Sequence, residues 1–358
     1  MVFFKSLRGK SSRSKSKNGF FKPQLLPLET RLNPVQFTGN VSFVGGSLQL
    51  SMTSTGVGAN ANTVNVSNTS SNDLLFDVGA ANTLVLTNSS PGSLVITGNS
   101  SNQVTVNFAA GGSISDLTLA GGMGQDDFTL GNINASSNLL NTATDFGITI
   151  DSASQSSGNI FDSLNIIGEV STAGAGNFQT SNSATNNQNL NQIDIAPTGS
   201  ILALGGNVVL TANAQAGSSV TISTGAVVQT GIGSIDITAD NSATPLGKIF
   251  LAGSPLVTNG GNLNINSGVV LSDNTTLNTG AASTGNITFQ STVDGNGLPP
   301  AENLTLQTAG VITFNGNIGT SSALGDFIVN SQNPTSLKLT GNISANSFQT
   351  TSAVNGTI

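Results

Sequence analysis

The chain has no cysteine, no histidine, no tryptophan and no tyrosine. Without cysteine there is no disulfide, thiolate nucleophile, zinc–thiolate site or iron–sulfur cluster. Without histidine there is no imidazole base, Ser–His pair or zinc-protease helix. Charge is also scarce: Asp, Glu, Lys and Arg make up 8% of the 358 residues, where about 25% is usual. A net charge of −7 and a mean hydropathy of +0.10 do not fit charge-driven disorder, which combines low hydrophobicity with high net charge. No apolar run approaches the roughly 18 residues of a membrane-spanning helix. What the chain does have is glycine, 43 residues, together with abundant Asn, Ser and Thr.

The few charges are unevenly placed. Lys5, Arg8, Lys10, Arg13, Lys15, Lys17, Lys22 and Arg31 stand against Glu29 alone, so the first 31 residues carry +7. Beyond them, Lys248 and Lys338 face 16 acids, which gives −14. Two scattered lysines cannot neutralise a phosphate backbone, so the body is not a nucleic-acid binder. Residues 1–35 read as a solvated or targeting leader. They contain a basic region but no apolar core of 7–15 residues, so they are not a conventional signal peptide.

Leu28-Glu29-Thr30-Arg31-Leu32-Asn33-Pro34 resembles the Leu-Glu-x-Arg-x-x-Pro box near the start of many exported proteins of planctomycete-type bacteria. Leu28, Glu29, Arg31 and Pro34 match that box. The resemblance implies export and an extracellular or cell-surface location.

A repeat sets the expected fold. Gly206-Asn207-Val208-Val209-Leu210 returns as Gly233-Ser234-Ile235-Asp236-Ile237, Gly261-Asn262-Leu263-Asn264-Ile265, Gly285-Asn286-Ile287-Thr288-Phe289 and Gly310-Val311-Ile312-Thr313-Phe314. Thr335-Ser336-Leu337-Lys338-Leu339 is a sixth copy without the glycine. Apolar third and fifth positions around a mostly polar fourth predict strands with one buried face. A second apolar stripe runs through Val220/Ile222, Ile249/Leu251, Val269/Leu271, Leu304/Leu306 and Phe327/Val329, at an offset that wanders from 8 to 19 residues. Fixed strands with corners of variable length predict an all-β fold, a right-handed parallel β-helix (β-solenoid) with rungs of about 25 residues. Stacking pairs every internal strand edge, which a chain so poor in Lys and Glu cannot guard by charge. Tandem β-sandwiches are the alternative, since short strands every 8–12 residues also suit them.

Residues 36–170 predict a β-rich N-terminal region, either a cap or irregular solenoid rungs, opening with a hairpin about Gly45-Gly46. Residues 171–191 lose the alternation and read as a polar linker or loop. Residues 192–358 form the solenoid. They stop within the repeat without a polar cap, which predicts either a piece of a longer protein or an end that docks. The body also resembles the Gly/Asn/Thr-rich passenger regions of filamentous-haemagglutinin-like and autotransporter-like adhesins, most clearly at Gly285–Val293 and Leu304–Phe314. That likeness implies a structural or adhesive role against cell-envelope or extracellular-matrix components, glycans among them.

Candidate chemistry is sparse. Gly121-Gly122-Met123-Gly124-Gln125-Asp126-Asp127-Phe128-Thr129 matches the Gly-Gly-x-Gly-x-Asp-x-apolar-x repeat that binds Ca²⁺. Gly122, Gly124, Asp126 and Asp127 are the candidate metal residues, and Ca²⁺ is the one cofactor the sequence offers. Such sites form between successive copies, and only one copy occurs, so this is a half-site, and a Gly-rich turn into a strand accounts for the same residues. No catalytic residues are assigned and the chain reads as a non-enzyme. A glycosidase needs two carboxylates facing one bond, but Asp126 and Asp127 are strand neighbours. Asp236 and Asp240 have Val209, Asn264 and Thr288, not acids, at the equivalent place on neighbouring rungs.

Overall fold

The computed structural model of the chain describes residues 36–44, 47–54, 62–68, 73–80, 82–108, 116–120, 126–133, 146–151, 162–172, 175–182, 190–212, 217–239, 246–280, 284–330, 335–350 and 354–357. The chain divides into two units, Met1–Asn33 and Pro34–Ile358. The first, with the basic leader and the box residues Leu28, Glu29 and Arg31, lies outside the described residues, as does Pro34.

The second unit is all-β. Among the described residues there is no helix, and every strand pairing from Asp116–Ala120 onward is parallel. Antiparallel sandwiches are therefore not what these residues form. One sheet aligns the copies of the repeat: Phe178 pairs with Val208, then Ile235, Leu263, Ile287, Ile312 and Leu337 follow in register. Each apolar third position thus lies beside its equivalent in the next copy. These side chains are buried, and the residues between them face outward.

The second apolar stripe needs correction, because it belongs to two ladders. Val64, Phe128, Leu164, Ile193, Val220, Ile249, Val269 and Val293 form one, continued by bridges through Ile318 to Ile343. Ile201 and Val228 lead into the other, which runs through Leu256, Leu277, Leu306 and Val329. The long strands Lys248–Val257 and Gly268–Gly280 pass from one ladder to the other through register shifts. The wandering offset came from treating three inward faces as two.

The expected polar linker is also corrected. Phe178–Asn182 is a strand of the first sheet, between Phe146–Asp151 and Val208–Ala212. Thr180 takes the inward place that an aliphatic residue fills in other copies, and it is 3% exposed. Its hydroxyl accepts a hydrogen bond from the Thr211 N–H (2.8 Å). An inward threonine carries no apolar signal, so the alternation disappears from the sequence while the strand persists.

Residues 36–108 contain all four antiparallel pairings among the described residues. Gln36–Val44 and Ser47–Ser54 form the expected hairpin, with Val41 opposite Leu50 and Phe43 opposite Leu48. Ser47–Ser54 joins the parallel sheet through Asp116–Ala120, so this sheet continues without interruption into the repeat. At the N-terminal end the outer edge of Thr83–Asn88 is closed by residues 99–101. Leu84 N–H donates to the Ser101 carbonyl (2.8 Å). Asn99 accepts from the Leu86 N–H through Oδ1 (2.7 Å) and donates through Nδ2 to the Leu86 carbonyl (3.0 Å). A side-chain amide thus occupies the place of another strand and leaves no edge to recruit one.

Candidate functional site

The corners carry most of the specific polar structure. At the corner entering the first face, the side-chain oxygen of one copy's asparagine accepts the backbone N–H of the next copy. Asn207 N–H donates to Asn177 Oδ1 (2.6 Å), Ser234 N–H to Asn207 Oδ1 (2.7 Å), Asn286 N–H to Asn262 Oδ1 (2.9 Å) and Val311 N–H to Asn286 Oδ1 (2.7 Å). Just before it stands a buried threonine column. Thr230, Thr258 and Thr279 donate from Oγ1 to the carbonyls of Gly233 (2.5 Å), Gly261 (2.6 Å) and Gly285 (3.0 Å). A buried hydroxyl is tolerated only when bonded, and each of these bonds satisfies a corner carbonyl. The sequence reading missed this column. Its signal was a Thr shortly before each repeat glycine, hidden in a Thr-rich chain.

The outward side of the first face is a polar comb. Val209, Asp236, Asn264, Thr288, Thr313 and Lys338 fall in one register column. Asn264 Nδ2 donates to Asp236 Oδ1 (2.6 Å). In the neighbouring column Asn266 Nδ2 donates to Thr238 Oγ1 (3.0 Å) and Asn315 Nδ2 to Gln290 Oε1 (2.6 Å). These bonds run from one copy to the next, so the outer face is tied to itself.

The candidate metal residues are only partly described. Gly122 and Gly124 lie outside the described residues. Asp126–Leu130 is a strand between Asn62–Ser67 and Asp162–Ile166. Asp127 is half-buried, on the outward side of that strand, and its Oδ1 accepts a hydrogen bond from Ser163 Oγ (2.5 Å). Strand alternation sends neighbouring residues to opposite faces, so Asp127 does not share a side with residues in phase with Phe128. Among the described residues, no group of three or more His, Cys, Asp or Glu could hold a metal ion.

Three further carboxylates are tied into the fold by hydrogen bonds. Asp294 Oδ1 accepts from the Ser321 N–H (2.9 Å), Glu302 Oε2 from the Asn296 N–H (3.1 Å), and Asp326 Oδ1 from Ser347 Oγ (2.7 Å). Asp236 is held by Asn264, and Asp240 lies outside the described residues. Lys248 and Lys338 are exposed. No pair of acids flanks a common cleft among these contacts.

Comparison with known proteins returns no match: no family model, no curated protein and no solved structure aligns with this chain.

Proposed function

We propose that the chain is a non-enzymatic, exported surface protein, whose body is a right-handed parallel β-helix acting as an elongated spacer or contact surface. The observation that carries this reading is the in-register parallel pairing of successive repeat copies, with aliphatic ladders inside and Asn, Asp and Thr bonded from copy to copy outside. Paired copies are offset by 24 to 28 residues, which favours a coil with rungs of about 25. Right-handed winding follows the strong chirality preference of parallel crossovers. From Ser47–Ser54 to Val354–Thr357 the first face runs through eleven described strands, each paired in parallel with the next, and at about 4.8 Å per step they reach roughly 48 Å.

A spacer needs length and resistance to unravelling, not a cleft, and the polar residues here are spent on bonds between copies. Partners are expected among cell-envelope or extracellular-matrix components. Glycan contact would use amide and hydroxyl groups, because the chain has no Trp or Tyr to offer as a stacking platform. The basic leader and the Leu28–Pro34 box support export.

Fractionation of cells making the full gene product tests the reading, combined with protease treatment of intact cells. The expected result is recovery in the envelope or medium, with the body digested or shaved from outside. Recovery in the cytoplasm, shielded from protease, would overturn it.

A further inference from the structure

We infer that Asn296-Gly297 is a site of spontaneous covalent modification, at which the asparagine amide is converted to aspartate and isoaspartate. Asn-Gly pairs begin at Asn18, Asn259, Asn296, Asn315 and Asn355. The side chains of Asn18 and Asn355 lie outside the described ones. In this reaction the glycine nitrogen attacks the asparagine Cγ. The fold must therefore bring those two atoms together while leaving the nitrogen and the departing amide unbound.

Asn259 and Asn315 are held back by their ladders. The Gly260 N–H donates to the Thr279 carbonyl (3.0 Å), and the Asn259 N–H to the Gly231 carbonyl (2.6 Å). Asn315 Nδ2 donates to Gln290 Oε1 (2.6 Å), and its backbone N–H to the Phe289 carbonyl (2.9 Å). A Cβ on Gly316 would overlap the backbone of Ser291, so the main chain there has no room to swing. Asn296 differs on each count. It opens an exposed turn, residues 296–300, between the strands Val293–Gly295 and Leu304–Thr308. Its Oδ1 accepts the Leu298 N–H (2.6 Å). That bond folds the carboxamide over the intervening Gly297 peptide and polarises the carbon to be attacked. Gly297 has φ +82°, and only Ser322 Oγ, at 3.7 Å, stands near its absent Cβ. Neither Asn296 Nδ2 nor the Gly297 N–H has a hydrogen-bond partner among the described residues.

The Gly297 nitrogen bonds to Cγ and gives up its proton to solvent base, the Cγ–Nδ2 bond breaks, and ammonia leaves behind a cyclic imide. Water then opens the ring. Attack at Cγ gives aspartate; attack at the main-chain carbonyl gives isoaspartate, whose main chain is one carbon longer. Either product sets a carboxylate beside Glu302, whose Oε2 accepts the Asn296 N–H (3.1 Å), so like charges then oppose the closed turn.

Peptide mapping of the full chain tests the site, after ageing for several weeks at mildly alkaline pH and digestion with pepsin in acid. Mass spectrometry with fragmentation that separates isoaspartate from aspartate reads each pair, and a parallel sample is aged in guanidinium. In the folded chain Asn296 should convert at least about tenfold faster than Asn259 and Asn315, giving both products. In guanidinium the three rates should converge. An Asn296 that stays intact, or converts no faster than the other two in the folded chain, would overturn the inference. An undiminished lead in guanidinium would overturn the part assigned to the folded turn.

Discussion

Replacing Gly261 by alanine is expected to destabilise the chain by more than about 3 kcal/mol, read as a fall in the guanidinium midpoint. The reason is a close approach of backbone to backbone. A Cβ on Gly261 would overlap the carbonyl oxygen of Gly233, the glycine of the preceding copy. The same holds along the column: Gly206 abuts Gly176, Gly233 abuts Gly206, and Gly285 abuts Gly261. The obstacle is main chain, pinned from both sides by parallel pairing and by the threonine bonds to Gly233 and Gly261. No rotamer change can relieve it. Gly92, an exposed turn residue with no atom within 4 Å of its absent Cβ, is the control, and Gly92→Ala should stay within about 0.5 kcal/mol. Equal effects at the two positions would mean that the glycine column is not a packing requirement.

Phe314→Ala is the second large effect, at about 3–5 kcal/mol. Phe314 is fully buried, stacked on Phe289 with ring centroids 4.6 Å apart and planes 5° from parallel, and edge-on to Phe327 at 5.6 Å. Its removal leaves a cavity between ladders held by pairing, which cannot collapse freely, and it forfeits two aromatic contacts worth roughly 0.5–1.5 kcal/mol each. Phe348 continues the series at 5.2 Å from Phe327 but is 50% exposed. Phe348→Ala should therefore cost only about 1 kcal/mol. Because each copy touches only its neighbours, hydrogen exchange in Phe314→Ala should quicken first in Ile287–Phe289 and Leu324–Asn330.

The first face was legible in the sequence because glycine marks its corner and Val, Ile, Leu or Phe marks its interior in every glycine-led copy. The other two faces were not separable. They share one aliphatic pattern, and the corner between them is absorbed into continuous strands such as Gly268–Gly280, with nothing to mark the bend. Inward polar residues were harder still: Thr180, Thr230 and Thr258 are buried, yet they resemble the threonines of the wet face in composition. The glycine-rich motif at Gly121–Thr129 singled out Asp126 and its neighbour Asp127. Strand alternation separates neighbours, and Asp127 takes the outward side, where Ser163 Oγ donates to its Oδ1.

Spin-label distances on the outward column of the first face test the stacking most directly, in a chain whose lack of cysteine makes labelling clean. With one label fixed at position 338, partners at Asp236, Val209 and Gln179 lie four, five and six ladder steps away. The stacked arrangement predicts distances near 19, 24 and 29 Å, rising by about 4.8 Å per step. Distances that fail to rise in that order, or a partner at Gln179 as close to position 338 as one at Asp236, would contradict it.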